Sequence, residues 1–294
     1  MNKFYEKLRN RMINPVVLAF CVAAILTFGT TNILANHPVF VEGNCLGDGT
    51  AARTLVPPGT CGDYDGDGRI GTAEDTDAPF DRVFGTINAA LGTVGINQNG
   101  TITIVASGIF PEVINITGNV TLQGAPGVEA DIDAVLQGEP GSGGRQNAPG
   151  IVVNSTSNNA VVLRNLTSKN WTSGIRVMGN SRVSIDNCRL ENNVNYGIEI
   201  LDNARVTISK TKVRATGFRI SAVGGFPFNN APNPGIGIEF DDASSGSIFQ
   251  TSVSSSFSTG IADVSSGSVC AFLVNVFDNN LNLQNIVPSS SPCS

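Results

Sequence analysis

Two groups of residues in this 294-residue chain have side chains and spacing suited to chemistry. The first is "DYDGDGRIGTAE", residues 63–74. Asp63, Asp65 and Asp67 take positions 1, 3 and 5 of a twelve-residue calcium loop, and Gly68 takes the sharp turn at position 6. Arg69 offers its backbone carbonyl at position 7, Ile70 is the apolar position 8, and Glu74 is the bidentate ligand at position 12. A hard cation takes oxygen ligands, and closely spaced carboxylates repel one another without one. The alternative is a solvated acidic turn. "LVPPGTCG", just upstream, cannot be an entering helix, so the loop stands alone, and calcium in it would be structural. The second group is Arg176, Glu199, Glu239 and Asp241, which recur in the short runs "GIRV", "GIEI" and "GIEFD". An arginine can engage a carboxylate, and a pair of acids can exchange protons with a substrate. The plainer alternative is a solvated Arg–Glu ladder, worth about 0–1 kcal/mol.

What brings the second group together is a repeat. "GIRVMGNSRVSIDNCRLENNVNY", residues 174–196, is followed at once by "GIEILDNARVTISKTKVRATG". Gly150 to Gly174 is 24 residues, and Gly174 to Gly197 and Gly237 to Gly260 are 23 each. Gly197 to Gly237 is one period plus the insertion "FRISAVGGFPFNNAPNP". A fixed period of this length marks a solenoid, whose repeats bury apolar surface only by stacking on neighbours. Each period holds three alternating pairs: Ile175/Val177, Val183/Ile185 and Cys188/Leu190, then Ile198/Ile200, Val206/Ile208 and Thr211/Val213. Alternation turns these side chains inward. The expected fold is all-β, a parallel β-helix with coils stacked about 4.8 Å apart. Dividing residues 101–280 by the period gives roughly eight coils. Asn180 then lies over Asn203 in a turn. An antiparallel sandwich is the alternative, but it gives no reason for the period. Between the inward residues, Val152, Arg176, Glu199, Glu239 and Ala262 point outward in successive coils, with Asp241 one pleat further on. The insertion emerges beside this face.

The N-terminal third differs. Lys3, Lys7, Arg9 and Arg11 precede an apolar run from Val16 to Phe28 and a cleavage-like "NILA". Residues 1–35 are therefore expected to be a signal peptide, with an uncleaved anchor as the alternative. Export to the cell surface, periplasm or medium suits the cysteines. Cys45 with Cys61 and Cys270 with Cys293 are candidates for disulfides, while Cys188 is expected to be a buried free thiol. Of the net charge of −6, the leader contributes +3, which leaves −9 for the remainder. That balance disfavours nucleic acid and, once the signal is removed, anionic membranes. His37 is the single histidine, which excludes His-rich zinc sites and a Ser-His-Asp triad. Residues 36–79 read as an irregular Gly/Pro/Asp-rich segment. In "PFDRVFGTINAALGTV" the spacing of Phe80, Val83, Phe84, Ile87, Leu91 and Val94 predicts a helix over 80–94. Short strands and a C-terminal tail complete residues 80–294.

The "TINAAL" helix followed by "ITIVASGIFPEVINITGNVTLQGAPG" resembles the N-terminal cap and first coils of the right-handed parallel β-helix, or pectin-lyase-like, superfamily. The resemblance runs from about Phe80 to Asn280, beside a lone loop of EF-hand type. It implies that the helix covers one end of the column and that the face after each repeat glycine is where a sugar-binding cleft would lie. This scaffold carries lyases, hydrolases, esterases, adhesins and proteins without catalysis. The family's catalytic patterns are mostly missing here, and only Arg176 with Glu199 is similar to a pectate-lyase arrangement. The expected function is an exported, calcium-stabilised surface, matrix or carbohydrate-binding protein. The alternative is a lyase or glycoside hydrolase acting on acidic polysaccharides through Arg176, Glu199 and Glu239.

Overall fold

Short runs of Val and Ile alternate with polar residues, and many runs end where one residue turns the chain left-handed. In the computed structural model, residues 39–42, 83–92, 98–134, 148–155, 160–217 and 235–293 are described. The expected signal peptide over 1–35, the Asp63–Glu74 loop, Cys45, Cys61 and the 218–234 insertion lie outside them. Among the described residues the strands form three parallel sheets of nine, seven and seven strands. One coil runs through Arg182–Asp186 in the first sheet, Arg189–Glu191 in the second and Tyr196–Ile200 in the third. The next coil repeats this with Arg205–Ser209, Lys212–Arg214 and Ile236–Phe240. Ile175, Ile198, Ile238 and Ile261 stand in register in the third sheet. Every strand pairing is parallel, so the sandwich alternative falls.

The core is the inside of this column. Ile175, Val177, Val183, Ile185, Leu190, Ile198, Ile200, Val206 and Ile208 are all buried, as the alternation requires. Among the described residues seven complete three-strand coils are present rather than roughly eight. The chain spends extra length between Asp133 and Ile151 and between Arg214 and Ile236, so dividing by the period overcounts.

The corners explain the polar residues of the repeat. Asn165, Asn187, Lys210, Gln250 and Leu273 all have φ between 49° and 54° where the first sheet turns into the second. Asn170, Asn192, Ala215, Ser255 and Asp278 turn left-handed one corner later, with φ between 53° and 65°. Asparagine tolerates this conformation best after glycine. Asn187 Nδ2 donates to Asn165 Oδ1 at 2.8 Å. The hydrogen-bonded asparagine pair is at the first of these corners, while Asn180 and Asn203, equivalent positions two residues before the Arg182–Arg205 register pair, are exposed in another turn.

The repeat glycines answer to sterics instead. A Cβ on Gly197 would sit 2.5 Å from the carbonyl oxygen of Gly237 and clash with Val213; one on Gly237 would meet Gly260 O at 2.5 Å and Val253. Only a residue without a side chain lets the third sheet close against the second.

Of the helix expected over 80–94, residues 83–92 are described, and only part of them is helical. Helix α1 covers only Ile87–Leu91, and Val83–Phe84 is a strand paired with Val39–Val41. Gly85 separates the two, and Thr86 caps α1 by accepting from Ala89 N. Val83 and Phe84 extend the first sheet because Val39–Val41 supplies backbone partners that no local pattern reveals. Ile87, Ala90 and Leu91 are buried. The α1 amides of Ile87 and Asn88 donate to the Glu112 carboxylate at 2.7 and 3.0 Å, which ties the helix to the first coil.

Candidate functional site: the outer face of the third sheet

Four consecutive strands of the third sheet, Ser173–Gly179, Tyr196–Ile200, Ile236–Phe240 and Thr259–Asp263, carry the candidate residues. Arg176, Glu199, Glu239 and Ala262 stand in one register row, as the repeat predicts. Arg176 Nε lies 2.7 Å from Glu199 Oε2, and Ser173 Oγ donates to the same oxygen at 2.7 Å. The row is not a solvated ladder. Glu199 is only 7% exposed and Ala262 is fully buried, although both occupy outward positions. A carboxylate so enclosed requires its cation and its hydrogen-bond donor, since an unpaired buried charge is strongly unfavourable.

Glu239, one coil further along, has no cation partner among the described residues. Burial pushes its carboxyl up from the ordinary 4.5 to about 7. The charges of Asp241 and Glu199 push the same way, while a hydrogen bond with the Tyr196 side chain pulls it back. Burial also raises the Tyr196 hydroxyl, with Glu239 and Glu199 adding to the effect. Near neutral pH Glu239 is thus poised between acid and base, beside a carboxylate held by arginine. Two carboxyl groups in unlike environments can serve as donor and acceptor of a proton. Asp241 is half-buried beside them and accepts from the Asp242 amide at 2.7 Å, so it shapes the turn at the edge of the site.

Ser173 and Tyr196 were not among the residues the sequence singled out. They stand in register just before the repeat glycines Gly174 and Gly197. That position varies in type along the repeat, with Ser173 and Tyr196 followed by Ile236, so no periodic signal marks it. Among the described residues no group of three or more His, Cys, Asp or Glu is placed to share a metal ion. Of the candidate disulfides, Cys270 and Cys293 are joined. Cys188 is a free buried thiol whose pKa burial pushes up to about 12, so it is inert.

Comparison with curated proteins and with solved structures gives no match. Residues 115–282 match the family described as the right-handed beta helix region. The matched span is more than half of the chain and starts in the first coil and ends in the seventh. With three parallel sheets and a strict coil register behind that match, the chain belongs to the right-handed β-helix family.

Proposed function

We propose that this is an exported β-helix protein that binds carbohydrate on the outer face of the third sheet and acts without catalysis at a surface or in a matrix. The observation that carries the reading is the Arg176–Glu199–Ser173 network beside Tyr196 and Glu239. Its donors and acceptors are fixed on a rigid column, which suits recognition of a polyol without reorganisation. Its one cation is already committed to Glu199, which argues against a lyase that needs a free cation to neutralise the substrate carboxylate. The leader-like N-terminus and the Cys270–Cys293 bridge support export. Calcium bound by Asp63, Asp65, Asp67, Arg69 and Glu74 would hold the acidic N-terminal segment in place.

A second reading, a lyase or hydrolase of acidic polysaccharides, is favoured by the Glu239 carboxyl poised near neutrality. One experiment separates the two. The chain from residue 36 onward is screened against a panel of neutral and acidic oligosaccharides for both binding and product release. Binding that weakens in Glu239→Gln, with no product at any pH from 5 to 8, supports the first reading. Product whose pH profile follows Glu239 and vanishes in Glu239→Gln establishes the second. The absence of both removes the third-sheet face from consideration.

A further inference from the structure

The outer face of the first sheet carries a groove of about 770 Å³ on a different side of the column from the residues above. Its floor is built by the alternation that buries Val183, Ile185, Val206 and Ile208. The same alternation points Arg182, Ser184, Arg205 and Thr207 outward. Arg182 and Arg205 are directly in register in adjacent strands, as are Ser184, Thr207 and Ser247. One wall is the C-terminal tail, held by the Cys270–Cys293 disulfide and by the bridge between Ala271 and Pro288.

The charge in this groove is not accounted for by the fold. Arg182 and Arg205 are both exposed and make no ion pair with a described residue. Like charges directly opposite on neighbouring strands destabilise a sheet. Elsewhere many of the column's outward charges are paired with carboxylates, although Lys212, in register with Arg189, makes no ion pair among the described residues. On the second sheet Lys169 pairs with Asp131 and Asp133, and Arg189 and Arg214 share Glu191. On the first sheet itself, Arg164 pairs with Asp186, which also accepts from Ser209. None of the described residues lining the groove is Asp or Glu, in a chain of net charge −6.

We infer that this groove binds a linear anionic glycan, with Arg182 and Arg205 gripping its carboxylate or sulfate groups and the serine and threonine row meeting its hydroxyls. The guanidinium fork matches planar and tetrahedral oxyanions. The lining spans five successive strands, from Ala160 to Cys270, so the groove is about 20 Å long at the usual strand spacing. That length suits an extended chain better than a single ion. No aromatic side chain lines it to stack a base, and two cations are few for a phosphate backbone, which disfavours nucleic acid. A peptide strand would seek an open sheet edge, whereas this is a face whose backbone is already paired.

The test uses the full chain and three probes: a uronic-acid oligosaccharide, a sulfated oligosaccharide and a neutral one of equal length. Binding is followed by calorimetry, and the contact face is mapped by hydroxyl-radical footprinting. At least one acidic probe should bind, more weakly as salt rises, and should protect the Arg182 and Arg205 strands and the Ser289–Cys293 tail. Losing charge-assisted hydrogen bonds, Arg182→Ala/Arg205→Ala should weaken it by about tenfold or more, with a melting temperature that does not fall because the repulsion between the two arginines is relieved. Arg164→Ala, which removes an equal charge from the same sheet outside the groove, should not. Equal binding of the neutral probe, equal losses in Arg164→Ala, or no binding of either acidic probe at millimolar concentration would each overturn the inference. A footprint confined to the Arg176, Glu199 and Glu239 strands would also reject the groove while leaving the third-sheet proposal standing.

Discussion

Single residues here bear costs that their neighbours impose. Leu273 has φ 53° and is 62% exposed, so it adopts the left-handed turn without the local hydrogen bonding that asparagine provides. Leu273→Asn should raise stability by about 0.5–1 kcal/mol, read as a higher urea midpoint at constant m-value. Arg176→Ala works in the other direction. It leaves the enclosed Glu199 carboxylate with Ser173 alone, a loss of about 1–3 kcal/mol, short of a fully buried pair because Arg176 keeps some solvent contact. Adding Glu199→Gln to Arg176→Ala should recover part of that loss in a double-mutant cycle. Glu239 carries a pH dependence. Its pKa is higher folded than unfolded, so between 4.5 and about 7 the folded state alone holds the proton. Its contribution to stability is complete below that window, falls as pH rises through it and is level above. Glu239→Gln should flatten this fall, so melting temperatures taken from pH 4 to 8 check the assignment.

At the scale of the coil, the repeat glycines and the corner residues do different work. Gly197 must be glycine because a methyl group would strike Val213 and the Gly237 carbonyl. Gly197→Ala should therefore cost about 1–3 kcal/mol, as overpacking of a close contact does. Gly108 also lies in a strand, yet nothing stands within 4 Å of where its Cβ would be. Gly108→Ala should be neutral or slightly stabilising, and parallel denaturation curves of the two variants would expose any error in this reading. Inside the corner, Thr211 and Thr251 donate their hydroxyls to Ser209 O and Phe249 O, and Cys188 holds the equivalent place one coil earlier. Cys188 is thus part of a buried stack of small polar side chains, and its reactivity should appear only on unfolding.

Across the whole molecule, stability is built from neighbouring coils, so each end needs a cover. Near the N-terminus that cover is α1 with Glu112 and the added strands Val39–Val41 and Val83–Phe84. Near the C-terminus the Cys270–Cys293 bridge brings the tail back onto the first sheet. Calcium, if it occupies residues 63–74, acts within the stretch of chain that joins Val39–Val41 to Val83–Phe84. Extracellular loops of the type bind with Kd around 10⁻⁴–10⁻³ M, so millimolar calcium should slow proteolysis of residues 36–79 and raise the melting temperature. Asp63→Ala and Glu74→Ala should abolish both effects while the column's circular dichroism stays intact. No calcium response in the unaltered chain would leave the motif a plain acidic turn.

The sequence alone determined the column. A 23-residue spacing of glycines with three alternating apolar pairs admits one arrangement in which every pair faces inward, and register then places Arg176, Glu199 and Glu239 in a row. Periodicity is a local signal repeated many times, so it survives without knowledge of contacts. The folded structure decided what repetition does not encode. It drew Val83 and Phe84 out of an apparent helix, because their backbone partner lies more than forty residues earlier in the chain. It enclosed Glu199, brought Ser173 and Tyr196 to the candidate site and left Arg182 and Arg205 without an ion pair among the described residues. Burial and charge pairing are sums over neighbours from other coils, and the order of residues along one coil does not contain those sums.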